Sequence, residues 1–244
     1  MAKRDLSMLV RFLTVTALAA SLATPSAAQE ARAVEGMIDT AIAPDEPIAT
    51  PGLALNAGGA VELSYGEYGE DEGSSLSGEV YVEGELNGFY AGIWALVTDQ
   101  QDDNEVDLSL GYRNELESGF SYDLGYSRYY YPNDGQDCCG EVKIGLFSPF
   151  GDTFGAGIDF AYDPENEVGN AYIYGEYYAT DVWTVSANFG SYEVVDADSE
   201  TEWDFGATYA VNDEVGVDLR WYDGTEYDGY FAVALAFDTT IFGP

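Results

Sequence analysis

From Ala60 to Thr240 the chain changes character at every second residue. Val106, Leu108, Leu110 and Tyr112 alternate with Asp107, Ser109, Gly111 and Arg113, and Phe154, Ala156, Ile158, Phe160 and Tyr162 alternate with Gly155, Gly157, Asp159 and Ala161. The same holds for Val215, Val217, Leu219 and Trp221 against Gly216, Asp218 and Arg220, and for Phe231, Val233, Leu235 and Phe237 against Ala232, Ala234 and Ala236. A period of two belongs to extended chain, in which successive side chains leave on opposite faces; a helix cannot satisfy it. The stretch therefore reads as all-β. It holds about twelve segments of about nine to eleven residues, each with one apolar face and one small or charged face.

Alternation alone does not separate a soluble barrel from a membrane barrel, so the connections have to. Those after the odd-numbered segments are acidic and lie at 70–75, 99–104, 132–140, 163–170, 196–201 and 223–229. Those after the even-numbered segments are tight: Asn87-Gly88, Ser118-Gly119, 149–152, Thr180-Asp181 and Asn212-Asp213. Asn-Gly is a strong two-residue hairpin signal, and the other tight turns carry ordinary turn formers. Long loops on one rim and short turns on the other are the asymmetry of an outer-membrane barrel. The fold expected is an antiparallel transmembrane β-barrel of about twelve strands, with short periplasmic turns and longer acidic extracellular loops.

The aromatics supply a second test. On the apolar face, Phe89, Tyr112, Phe120, Phe154, Tyr177, Trp183, Tyr209 and Phe237 fall near the short-turn rim. Tyr65, Tyr126, Tyr162, Phe189, Trp203, Trp221 and Phe231 fall near the long-loop rim, with aliphatic residues such as Leu108, Ile158, Val217 and Leu235 between. Two aromatic belts around an aliphatic band describe a bilayer cross-section. Strand propensity by itself would scatter aromatics along the segments.

The beginning of the chain reads as an export address. Lys3 and Arg4 precede an apolar run from Phe12 to Ala23, and Ser26-Ala27-Ala28 offers a cleavage site, which predicts a signal peptide over 1–28. Residues 29–59, rich in Ala, Pro and acid, are expected to form a flexible periplasmic leader, and 60–244 the barrel. The location expected is the outer membrane of a Gram-negative bacterium, with outer-membrane lipid as a partner.

Composition narrows the function. Asp and Glu number 45 against 8 Lys and Arg, for a net charge of −37, which repels a phosphate backbone and argues against nucleic acid. There is no histidine, so a Ser-His-Asp triad or a His-liganded metal site cannot be built. No acid pair stands out for membrane-embedded catalysis; no enzyme, cofactor or metal is expected.

By parity the inner face carries Glu62, Glu79, Glu83, Glu85, Asp107, Asp123, Glu141, Asp159, Glu176, Asp204 and Asp218, opposed by Arg113, Lys143 and Arg220. Charges with so few counterions do not suit a dry core, and water inside is the simpler account. All of them except Glu62 and Glu85 form the expected pore-lining set. About twelve strands imply a narrow pore, and the many Gly, Ala and Ser on the inner face are expected to leave it room. The function read here is passive passage of small solutes, preferably cationic or neutral. The alternative is a closed structural or adhesin-type barrel. Oligomeric state is not legible.

Several blocks resemble the TorF family of porins. They are Gly88 to Ala95 (GFYAGIWA), Glu105 to Leu108, Gly111-Tyr112, Ser121 to Tyr126, Tyr130-Tyr131-Pro132 and Gly140-Glu141-Val142. The resemblance covers most of 60–240 and implies an outer-membrane barrel. It departs in the first strand, where that family carries an arginine-bearing segment and this chain has Ser64 to Gly69 without arginine, so no pore role for those arginines carries over. The C-terminus departs too, since Phe242 is followed by Gly243 and Pro244.

Cys138 and Cys139 are adjacent. An oxidising compartment favours bridging, whereas neighbouring Cα atoms about 3.8 Å apart lie below the usual disulfide range, so a strained bridge and two free thiols are both compatible with the sequence.

Overall fold

In a computed structural model the chain forms β1 (Leu53–Tyr68), β2 (Asp71–Leu86), β3 (Phe89–Thr98), β4 (Glu105–Glu115), β5 (Ser121–Tyr131), β6 (Gln136–Pro149), β7 (Phe154–Asp163), β8 (Val168–Thr180), β9 (Trp183–Tyr192), β10 (Glu200–Asn212), β11 (Val215–Gly224) and β12 (Tyr230–Phe242). The structure describes residues 52–68, 71–99, 104–133, 136–195, 198–225 and 227–243, with backbone alone for 67–68, 71–72 and 136–138. The expected signal peptide and the leader up to residue 51 lie outside these residues.

Each strand pairs antiparallel with its chain neighbours, and β1 pairs with β12 to close a twelve-strand barrel. Closure leaves no strand edge unpaired, so the ladder satisfies the backbone without water. The period of two then sorts the side chains. On β12, Phe231, Val233, Leu235 and Phe237 are exposed on the outside, while Ala232, Ala234 and Ala236 are buried inside. The outer wall is mainly apolar: Val61, Leu110, Ile173 and Leu235 are each more than half exposed.

Both aromatic belts lie on this outer wall. Phe89 meets Tyr112 at 4.8 Å and Trp183 meets Tyr209 at 5.0 Å near the tight turns. At the other rim Tyr65 is in register with Phe231, Phe231 with Trp221, and Phe189 with Trp203.

The first strand begins at Leu53, not at Ala60, so residues 53–59 belong to the wall and not to the leader. Ala57, Gly58 and Gly59 weaken the apolar alternation there, yet the ladder continues through them to pair Leu53 with Leu86. A ladder needs backbone groups and not apolar side chains.

For the same reason the strands run into the acidic connections, leaving 69–70, 99–104, 132–135, 164–167, 193–199 and 225–229 between strand ends. The opposite rim has 87–88, 116–120, 150–153, 181–182 and 213–214, so the two rims differ less than the sequence led us to expect. Asn87 and Gly88 both take positive φ, 52° and 87°, as a two-residue hairpin of the type favoured by strand twist requires. The segment 132–140, expected to be loop, is half strand. Tyr129 pairs with Cys139 and Tyr130 with Asp137, so residue 138 is the extra residue of a β-bulge. Cys139 is fully buried and disulfide-bonded, which decides against two free thiols.

Candidate functional site

The inner wall gathers the charges. Glu62, Glu79, Glu85, Asp107, Glu141, Asp159, Glu176, Asp204 and Asp218 are buried facing inward, together with Arg113 and Arg220; Glu83, Asp123 and Lys143 also face inward and are half-buried. Strand parity places them there, and closure of the sheet turns that face into an interior. Among the described residues no inward-facing base exists besides Arg113, Lys143 and Arg220, because Arg128 points outward and pairs with Glu165 near the long-loop rim.

The arginines organise two clusters. Near the tight-turn rim Arg113 of β4 pairs with Glu83, and its Nε lies 3.4 Å from Glu85, both on β2. Its guanidinium sits 4.1 Å over the ring of Tyr90 on β3, and the Tyr90 hydroxyl donates to Asp123 of β5 at 2.7 Å. Four adjacent strands are thus tied through one cation.

The second cluster lies on the far arc of the wall. Arg220 of β11, fully buried, pairs with Asp204 of β10 and donates from Nε to Asp218 at 3.1 Å. Its Nη2 donates to the Ser186 hydroxyl of β9 at 2.7 Å and to Asp218 Oδ2 at 3.2 Å, while Thr208 donates to Asp218 at 2.7 Å. A planar fork with five donors suits such a cluster better than an ammonium would.

Between and beside these clusters the interior is tyrosine, which parity did not single out. Tyr129 donates to Glu141 and Tyr131 to Glu105, each at 2.9 Å; Tyr178 donates to Glu176 at 2.6 Å; Tyr172 donates to Glu202 and Tyr81 to Asp238. Hydroxyl donors stand in for scarce bases in satisfying carboxylates. The Lys143 ammonium lies 5.3 Å over the Tyr129 ring.

The inner glycines do not leave the expected room. Tyr172 is directly opposite Gly190, Tyr174 opposite Gly157, Tyr90 opposite Gly111 and Tyr230 opposite Gly66. A Cβ added at any of these glycines would collide with the facing tyrosine. At Gly111, Gly157 and Gly190 the missing side chains are the beds on which the rings lie; at Gly66 the Cβ of Tyr230 takes the place. A tyrosine on the inward parity facing a glycine on the next strand was the usable signal, and it appears only once the register is known.

The comparisons with known proteins agree with this geometry. The family described as Gram-negative porin matches residues 43–229. Among solved structures, a KdgM porin superposes with TM-score 0.57 at 9% identity, covering 73% of this chain and 98% of its own. A NanC porin does so with TM-score 0.57 at 13% identity, covering 75% and 99%. A KdgM porin in complex with disordered oligogalacturonate gives TM-score 0.54 at 8% identity, covering 73% and 98%. At such identities the likeness is one of fold. No curated protein matches the chain significantly. With a closed twelve-strand barrel and a family match over most of its length, the chain belongs to the Gram-negative porin family.

Proposed function

We propose that the barrel is an outer-membrane channel for passive passage of small solutes and that it prefers cationic or neutral ones. The observation that carries this is the inner wall itself, where carboxylates from all twelve strands but β3 and β9 meet only Arg113, Lys143 and Arg220 among the described residues. A porin interior with that excess concentrates cations, and low-dielectric walls focus the field along the axis. Oligogalacturonate, which appears with the KdgM porin, is a polyanion; this wall would repel it. The GFYAGIWA block at 88–95 supports placing the chain in the TorF branch of porins.

The test is a reversal potential under a KCl gradient across a planar bilayer holding the purified protein. Cation preference is expected, weakening in concentrated salt as the roughly 8 Å screening length at physiological ionic strength shortens. It should fall when Asp107, Asp159 and Asp218 are changed together to Asn. Anion preference in the unmodified protein would refute the reading. The close fit of tyrosine rings on Gly157 and Gly190 favours a second reading, a closed structural barrel; absence of conductance steps would select it.

Orientation follows the rims. Asp198 is proposed to face the outside of the cell and Asn212 the periplasm. In a background lacking Cys138 and Cys139, a cysteine at 198 should react with an impermeant maleimide on intact cells, and one at 212 should not. The opposite pattern would invert the barrel.

A further inference from the structure

We infer that the inner wall formed by β1, β10, β11 and β12 holds a binding station for organic cations bearing a guanidinium or ammonium group. The inference rests on the channel reading and names the solute class it would favour.

The station arises from the alanines of β12. Glu62 on β1 is in register with Ala234, which is in register with Asp218 on β11; one step along, Ser64, Ala232 and Arg220 form the next row. Ala232 and Ala234 are fully buried, covered from the flanking strands, where β1 and β11 carry the longer side chains of the same rows. Three carboxylates, Glu62, Asp204 and Asp218, share this wall with one guanidinium, which Asp204 and Asp218 already engage. Glu62 is 2% exposed, and its Oε2 has no hydrogen-bond partner among the described residues. A buried carboxylate oxygen in that state favours a positive donor.

An aromatic surface adjoins it. The next rows bring Tyr222 and Tyr230 together, their rings stacked at 4.9 Å, with Tyr227 at 5.7 Å from Tyr230. The Tyr222 hydroxyl is a second buried polar group without a partner among the described residues. Carboxylate beside tyrosine face is the arrangement in which this barrel already holds its own cation: Arg113 lies over Tyr90 with Glu83 and Glu85 at its edge. The same chemistry at the Glu62 station suits a nitrogen cation with a planar or apolar flank. A bare divalent metal fits less well, since among the described residues no three acids are arranged to hold one.

The experiment uses the full barrel folded in detergent micelles and agmatine, which carries one guanidinium and one ammonium, with sodium at equal charge as the comparison. Calorimetric titration should show saturable agmatine binding that sodium does not mimic. Glu62→Gln and Tyr222→Leu should each weaken it about tenfold, while Tyr222→Phe, which keeps the ring, should weaken it less. Heat-modifiable gel mobility identifies the folded variants, and the Phe–Leu contrast at 222 decides if Glu62→Gln does not fold. Unchanged affinity in folded Glu62→Gln, or equal affinity in the Phe and Leu variants, would overturn the station. Bilayer recordings separate the two levels. Cation-selective conductance without agmatine binding overturns the station and leaves the channel; binding without conductance supports the station and overturns the channel; neither overturns both.

Discussion

Arg220→Ala is expected to lower the unfolding free energy by about 3–5 kcal/mol, the loss typical when one partner of a buried ion pair is removed. The side chain is fully buried, and it joins β9, β10 and β11 through Ser186, Asp204 and Asp218. Without it, Asp204 and Asp218 lose the cation they share in a wall that also holds Glu62. Arg220→Lys keeps the charge but cannot reproduce the fork that reaches a hydroxyl and two carboxylates, so it should fall between wild type and Ala. Arg128→Ala is the control. Its pair with Glu165 is partly exposed, the side chains retaining 22% and 51% of their accessibility, and its loss should cost no more than about 1 kcal/mol. Urea unfolding from micelles followed by tryptophan fluorescence measures all three, and equal losses at 220 and 128 would show that the inner wall is as well hydrated as the rim.

The contrast between these arginines marks what the sequence could and could not disclose. Parity needs no partner: once β11 is extended, Asp218 and Arg220 must share a face, and Leu219 and Trp221 the other. The face of the mid-strand charges and of the outer belts was therefore legible, whereas Glu105, Glu202 and Asp238, which the interior also holds, lie toward segment ends and were not named. Partnership needs register, and register is set by closure of the whole sheet. Nothing near Gly190 in the chain says that Tyr172 will lie on it, and nothing near Glu62 says that Asp218 will stand across an alanine row. Strand ends suffered for another reason. Leu53 to Gly59 and Asp71 to Ser75 keep the backbone ladder while their side chains lose the apolar rhythm, so a reading based on that rhythm stops short of where hydrogen bonding does. The acidic residues at 70–75 and 223–224 thus sit largely on strand ends.

Leu235→Arg should destabilise the barrel by about 2–4 kcal/mol, the cost of a cation at the midplane of the lipid face. Leu235 is 56% exposed on the outer wall, in register with Val61 on one side and Val217 on the other, so no polar neighbour can receive the charge in that row. Depth supplies the discriminating comparison. Ile241, near the end of β12 and equally exposed, lies close to the tight-turn rim, where a long cationic side chain reaches headgroups; Ile241→Arg should cost only about 0–1 kcal/mol. Leu235→Phe should be nearly neutral, since it exchanges one lipid-soluble group for another. A soluble barrel would tolerate arginine at 235 and 241 alike, because both side chains would enter water. A large loss at 235 with a small one at 241, measured by urea unfolding in lipid vesicles, requires hydrocarbon around the middle of β12; equal tolerance would remove the bilayer from the outer wall and with it the channel.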